Sequence, residues 1–140
     1  MEGSAEWAWS DAWVLAAIMV LGRDEGSSLT EVVAAAHAIN HSILLENEIE
    51  PAVRRLLGVG LFWTSHRRFF LTDAGRTMAA KRRGGMLGQV DHLLTTLRRL
   101  PVREQEWHLE LGELREAVDA WRQGAEALAT GGRRRRPASE

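Results

Sequence analysis

The side chains in this chain that could do chemistry are cations, and they are gathered in one stretch. Arg54 and Arg55 stand side by side near the end of an apolar-striped segment. His66, Arg67 and Arg68 follow in a polar gap between two hydrophobic runs, with Arg76 shortly after. Guanidinium groups at this density suit phosphate, because each presents a planar fork of donors and keeps its charge at any biological pH. Groups for covalent or hydrolytic work are scarce. The sequence holds no cysteine, and it has no Gly-x-Ser-x-Gly elbow, phosphate loop, His-Glu-x-x-His motif or spaced carboxylate pair, so neither an enzyme nor a cofactor is expected. His37 and His41 stand four apart with Glu46 nearby, a metal-ligand spacing, but Asn40 suggests a helix end between them and no further ligands gather there. No metal is expected. Gly58-Val-Gly60 follows a helix instead of a strand and lacks the rest of a dinucleotide loop.

The net charge of −1 taken alone argues against a nucleic-acid partner, yet it averages over a sharp partition. Residues 1–50 carry one arginine against nine carboxylates, a local charge of −8, whereas residues 51–83 carry eight bases against Asp73, a local charge of +7. The remainder balances. A phosphate backbone within a Debye length responds to such a local face more than to the total.

The elements that must position these cations can be read from periodicity and caps. Ser10 is placed to cap a helix over 11–21 that is apolar on nearly every side and closes on Gly22. Ser28-Leu-Thr-Glu31 is a capping-box pattern that starts a second helix through Val32, Val33, Ala36 and Ile39. A third helix accommodates Pro51 in its first turn if Asn47 is the cap. Ile49, Val53, Leu56 and Leu57 then form its buried stripe, Asn47, Pro51, Arg54 and Arg55 face outward, and Gly58 is its left-handed stop. Residues 59–63 and 69–71 read as two short strands around a turn at 64–68, and Thr72 or Asp73 caps a helix through Met78.

This order of parts over residues 11–80 resembles a winged helix-turn-helix domain, similar to bacterial MarR-like and PadR-like regulators. Leu29-Thr-Glu-Val-Val33, Val53-Arg-Arg-Leu-Leu-Gly-Val-Gly-Leu61 and Phe70-Leu-Thr-Asp-Ala-Gly-Arg76 carry the resemblance. It implies a mainly α fold with a small β-hairpin wing, a third helix in the major groove, and a wing on the DNA backbone. Asn47, Arg54, Arg55, His66, Arg67, Arg68 and Arg76 are then the expected DNA contacts, and the expected function is transcriptional regulation. Glu46, Glu48 and Glu50 crowd the helix end that would meet base edges. That keeps open an alternative of another class, a non-catalytic winged helix that binds protein, its acidic front half meeting a basic partner.

Beyond residue 84, Met86, Val90, Leu93, Leu97 and Leu100 alternate at spacings of four and three up to Pro101, and Trp107, Leu111, Leu114, Val118, Trp121, Ala125 and Leu128 repeat the pattern. Such seams predict an antiparallel helical hairpin over 85–129. Its stripe of Val90, Leu93, Leu97, Trp107, Leu111, Leu114, Val118 and Trp121 would either build a homodimer or close the core of one chain. The tail at 130–140, with Arg133 to Arg136, reads as disordered and the segment 1–10 as an arm, in which Trp7 and Trp9 cover a groove or a partner while Trp13 belongs to the core. The apolar run 13–21 is too short to span a bilayer and the residues before it are acidic, so a cytoplasmic protein without a membrane partner is expected.

Overall fold

The structure, a computed structural model, describes residues 6–81 and 85–138. It is mainly helical: α1 (Trp9–Leu21), α2 (Leu29–Asn40) and α3 (Glu46–Gly58) precede a hairpin of β1 (Phe62–Ser65) and β2 (Arg68–Leu71). After it come α4 (Asp73–Ala80), α5 (Met86–Leu97) and α6 (Glu113–Ala138).

α1 is the hub. Every residue from Asp11 to Met19 is buried, because α2, α3 and α5 pack around it and leave no polar side to the helix. Its start differs from the expected Ser10 cap: Ala8 is the cap, and its N–H donates to the Asp11 carboxylate at 2.8 Å. A carboxylate can hold the entry amide more firmly than a serine hydroxyl, and Asp11 serves that role from inside the helix. The Gly22 stop and the Ser28–Glu31 capping box stand as read from the sequence, with Gly22 at φ 51° and reciprocal bonds of 2.9 and 3.1 Å in the box.

α3 begins two residues earlier than expected. Leu45 is the cap, its N–H donating to Glu48 at 2.9 Å, so Pro51 sits in the second turn and Asn47 is an exposed second helical residue. The left-handed turn after α3 falls on Gly60 (φ 75°), not Gly58.

β1 is one residue shorter than the expected 59–63 and shifted toward the turn, while β2 starts one residue before the expected 69–71; they pair Phe62 with Leu71, Trp63 with Phe70, Thr64 with Phe69 and Ser65 with Arg68. Ser27 adds a single antiparallel bridge to Phe69, with both backbone bonds at 2.9 Å, which ties the α1–α2 connection to the hairpin. The turn has two residues, His66 and Arg67, both at positive φ (52° and 60°) as a type I′ turn demands. Neither is glycine, so the tip carries a conformational cost of roughly 1–2 kcal/mol per residue.

The C-terminal third corrects the helical-hairpin expectation. Residues 101–112 form no helix; Pro101 ends the preceding segment and the chain then crosses the domain as an extended strap. α5 packs chiefly on α1, and α6 packs on α2. Val90, Leu93, Leu97, Trp107 and Leu114 belong to the chain's own core, Val118 and Trp121 pack against its edge, and Leu111 is fully exposed. The apolar stripe is thus accounted for without a second subunit. Trp13 lies in the core with its indole N–H on the Ala36 carbonyl. Trp7 is buried too, donating to Leu100, and Trp9 donates to Asp91. α6 continues to Ala138 through the segment expected to be disordered, since arginine is a good helix former and is favoured at a helix C-terminus. No helix among the described residues is long and apolar enough to cross a membrane.

Leu93 is fully buried between α5 and the hub. Leu93→Ala should lower unfolding stability by about 2–5 kcal/mol in a urea titration, with no dependence on protein concentration.

Candidate nucleic-acid interface

The outward face of α3 and the hairpin tip, where the expected contacts lie, are occupied by the chain itself. The strap at 101–112 runs along α3 and hands over to α6 beside the hairpin. Arg54 Nε donates to the Trp107 carbonyl at 3.0 Å, and its Nη2 lies 2.9 Å from His108 Nδ1 and 3.6 Å from Glu50. In return the Arg54 carbonyl accepts from the Gln105 amide at 2.9 Å, and Glu50 accepts from the Leu109 amide at 2.8 Å. Glu50, Arg54 and Gly58 are spaced by four, so they line one ridge of α3, and the strap follows that ridge. At its far end the Arg103 backbone lies so close to Gly58 that a Cβ there would collide with it. Glycine stands at 58 for this approach, not for a left-handed turn.

Arg55 does not face outward. Its side chain is only 17% exposed, and its Nη1 donates to Asp11 and to the Glu6 carbonyl, both at 2.9 Å. Asp11 is 1% exposed, and Glu104 of the strap stands 3.8 Å from the Arg55 Nε, which has no hydrogen-bond acceptor. A charge pair taken this far out of water is indifferent to stability as a pair, but costly to break.

At the hairpin tip Arg67 lies over the Trp107 ring, 5.0 Å from its centroid, and donates to the His108 carbonyl at 3.2 Å and to the Glu113 carboxylate. Trp107 is 9% exposed, lodged between that guanidinium and Phe69. The Glu113 hydrogen bond, opposed by burial, holds Arg67 more firmly protonated. For Glu113, burial acts to raise its pKa, but the Arg67 hydrogen bond, the Glu110 amide and the Arg67 charge together outweigh it and hold the carboxyl below its ordinary range.

Arg68 turns the other way, to the carbonyls of Glu25 and Gly26 at 3.1 and 2.8 Å, with Glu31 at 3.6 Å. Arg76 pairs with Asp24 at 3.4 Å. His66 is exposed at the turn beside Ser65, and Asn47 is exposed on α3. Of the seven expected contact residues, the five arginines are each committed to acceptors in the same chain. The sequence pointed to their cluster but not to most of their partners: those of Arg54 and Arg67 include Trp107, His108 and Glu113, from the segment whose heptad spacing read as helix, whereas Arg55, Arg68 and Arg76 turn to residues between Glu6 and Glu31. His37, one of the two histidines weighed as ligands, packs its ring on Trp121 at 4.7 Å, and His41 ends α2 with φ 56°. Among the described residues no group of three or more His, Cys, Asp or Glu side chains could hold a metal.

No protein-family model, no curated protein and no solved structure matches this chain.

Two changes test the closure. An alanine in an exposed last helical turn is normally worth up to about 1 kcal/mol over glycine. Gly58→Ala should instead destabilise and should speed hydrogen exchange at the Gln105 and Leu109 amides. Because the Glu113 carboxyl is held below its unfolded value, the stability it contributes is complete above the ordinary glutamate range and is lost as pH falls through and below it. Those same amides should therefore lose protection in acid, and Glu113→Gln should flatten that dependence. For the ion pair, Arg55→Met should cost about 3–5 kcal/mol, and adding Asp11→Leu should recover much of it.

Proposed function

We propose that this chain is a winged helix-turn-helix domain that serves as a non-catalytic protein-interaction module and does not read DNA with its third helix and wing. The order α1, Ser27 bridge, α2, α3, hairpin and α4 supports the winged-helix reading, with α3 in the recognition position. One observation carries the functional reading: Arg54, Arg55 and Arg67, the cations such a domain would offer to phosphate, are bound to Trp107, His108, Asp11 and Glu113 of the same chain. To meet DNA they would have to exchange these partners for phosphates and expose Trp107, with no net gain in pairing.

Large apolar side chains are left exposed on the surface as well. Trp63 is 48% exposed and stacks on Phe70 at 4.3 Å on the hairpin face turned from the core, and Leu45 is exposed at the start of α3. Exposed aromatic pairs of this kind are the side chains on which protein interfaces concentrate their energy. They favour a protein partner over a regulatory protein that binds operator DNA in the manner of the MarR-like and PadR-like domains.

The test uses the whole chain with Arg133 to Arg136 replaced by serine, so that the tail does not bind polyanions on its own. At about 0.1 M salt this protein should not retard a short DNA duplex. Retardation that disappears on Arg54→Ala with Arg67→Ala, in a variant that still melts cooperatively, would restore the DNA-reading function.

A further inference from the structure

The cations that the chain leaves unpaired point to a different place. α4 and α5 enclose a cleft of about 470 Å³ lined by Met78, Lys81, His92, Thr96 and Arg99. Lys81 stands just past the end of α4, and His92, Thr96 and Arg99 follow one another at spacings of four and three along α5 and the turn after it. Among the described residues no carboxylate lines the cleft. Asp91, next to His92 in sequence, is turned to the Trp9 indole at 3.0 Å, and Asp73 stands at the opposite end of α4. Neither Lys81, His92 nor Arg99 forms an ion pair with a described residue, whereas all five arginines of α3, the hairpin and α4 are matched within the chain. Thr96 donates its hydroxyl to the His92 carbonyl, so it and Met78 are walls and the three basic groups are the free donors.

We propose that this cleft binds a small phosphorylated ligand, a phosphate monoester held by Lys81, Arg99 and His92 with its organic part against Met78. Two cationic side chains and an imidazole line one cleft with no described carboxylate beside them, and a doubly charged phosphate would supply the missing counter-charge while accepting several hydrogen bonds. The volume lies within the range of small-molecule sites. A nucleic-acid backbone is a poorer match, because polymer binding needs a basic track and the neighbouring cations among the described residues do not extend one. Arg76 is committed to Asp24, and Arg98 lines a separate recess with Glu6 and Trp7.

Calorimetric titration of the full chain with glycerol 3-phosphate and, in parallel, with a short DNA duplex tests the proposal. The expected result is saturable one-to-one binding of the ester, weakened at least about tenfold by Lys81→Ala with Arg99→Ala. Both residues are exposed, so the double variant should melt as the parent does, and His92→Gln gives a second, milder loss. Unchanged ester affinity in the double variant would overturn the assignment. So would an absence of saturation by the ester, or binding of the duplex alone with a steep salt dependence.

Discussion

A buried guanidinium sets the terms for this fold. Arg55 projects from α3 into a site closed by three distant pieces of chain: the Glu6 carbonyl before α1, the Asp11 carboxylate within it, and Glu104 on the strap. An arginine that cannot be deprotonated must find its counter-charge wherever it is buried, so these segments are not free to move independently. Asp11 in turn holds the amide that starts α1. One charge pair thereby fixes the entry of the central helix, its angle to α3, and the line along which residues 101–112 return across the domain.

The elements whose structure depends on near neighbours were legible in the residues. The Ser28–Glu31 capping box, the Gly22 stop, the all-round apolar α1 and the existence of a hairpin after α3 all follow from contacts a few residues apart. What was not legible depends on distant chain. Glycine at 58 reads as a helix stop until the Arg103 backbone is seen against it, and Arg55 reads as an outward cation until Asp11 is placed beside it. The stripe from Trp107 to Trp121 misled for a related reason. Its spacing fits a helix, yet Trp107 is buried by inserting between Phe69 and Arg67 from an extended segment, and only Leu114, Val118 and Trp121 lie on helical turns. Burial, not helical periodicity as such, accounts for the apolar residues at 107, 114, 118 and 121, and Leu111 is exposed.

Charge shows the same division. Local sequence placed the basic residues of 51–83 together and the acidic ones before them, but pairing decided which cations stay available. Arginines that looked best placed for phosphate are matched by Asp11, Glu50, Glu113 and backbone carbonyls, while Lys81, His92 and Arg99, which no motif singled out, form no ion pair with a described residue. A count of charges along a chain gives the capacity for anion binding; the fold decides where that capacity remains unspent.

The hub position of α1 has a consequence for how the protein comes into being. A ribosome releases α1 first, yet the surface that seals it includes α5, and the Trp7 indole bonds to a carbonyl 93 residues later in the chain. Until α5 and residue 100 have emerged, a helix buried on every side in the finished protein lacks a cover, and loop closure over that distance must precede its protection. Residues 11–84, which look in sequence like a self-sufficient domain, therefore cannot complete their core until α5 has emerged. Their folding waits on that later segment, and in the interval the nascent protein presents its most apolar helix to the chaperones of the cell.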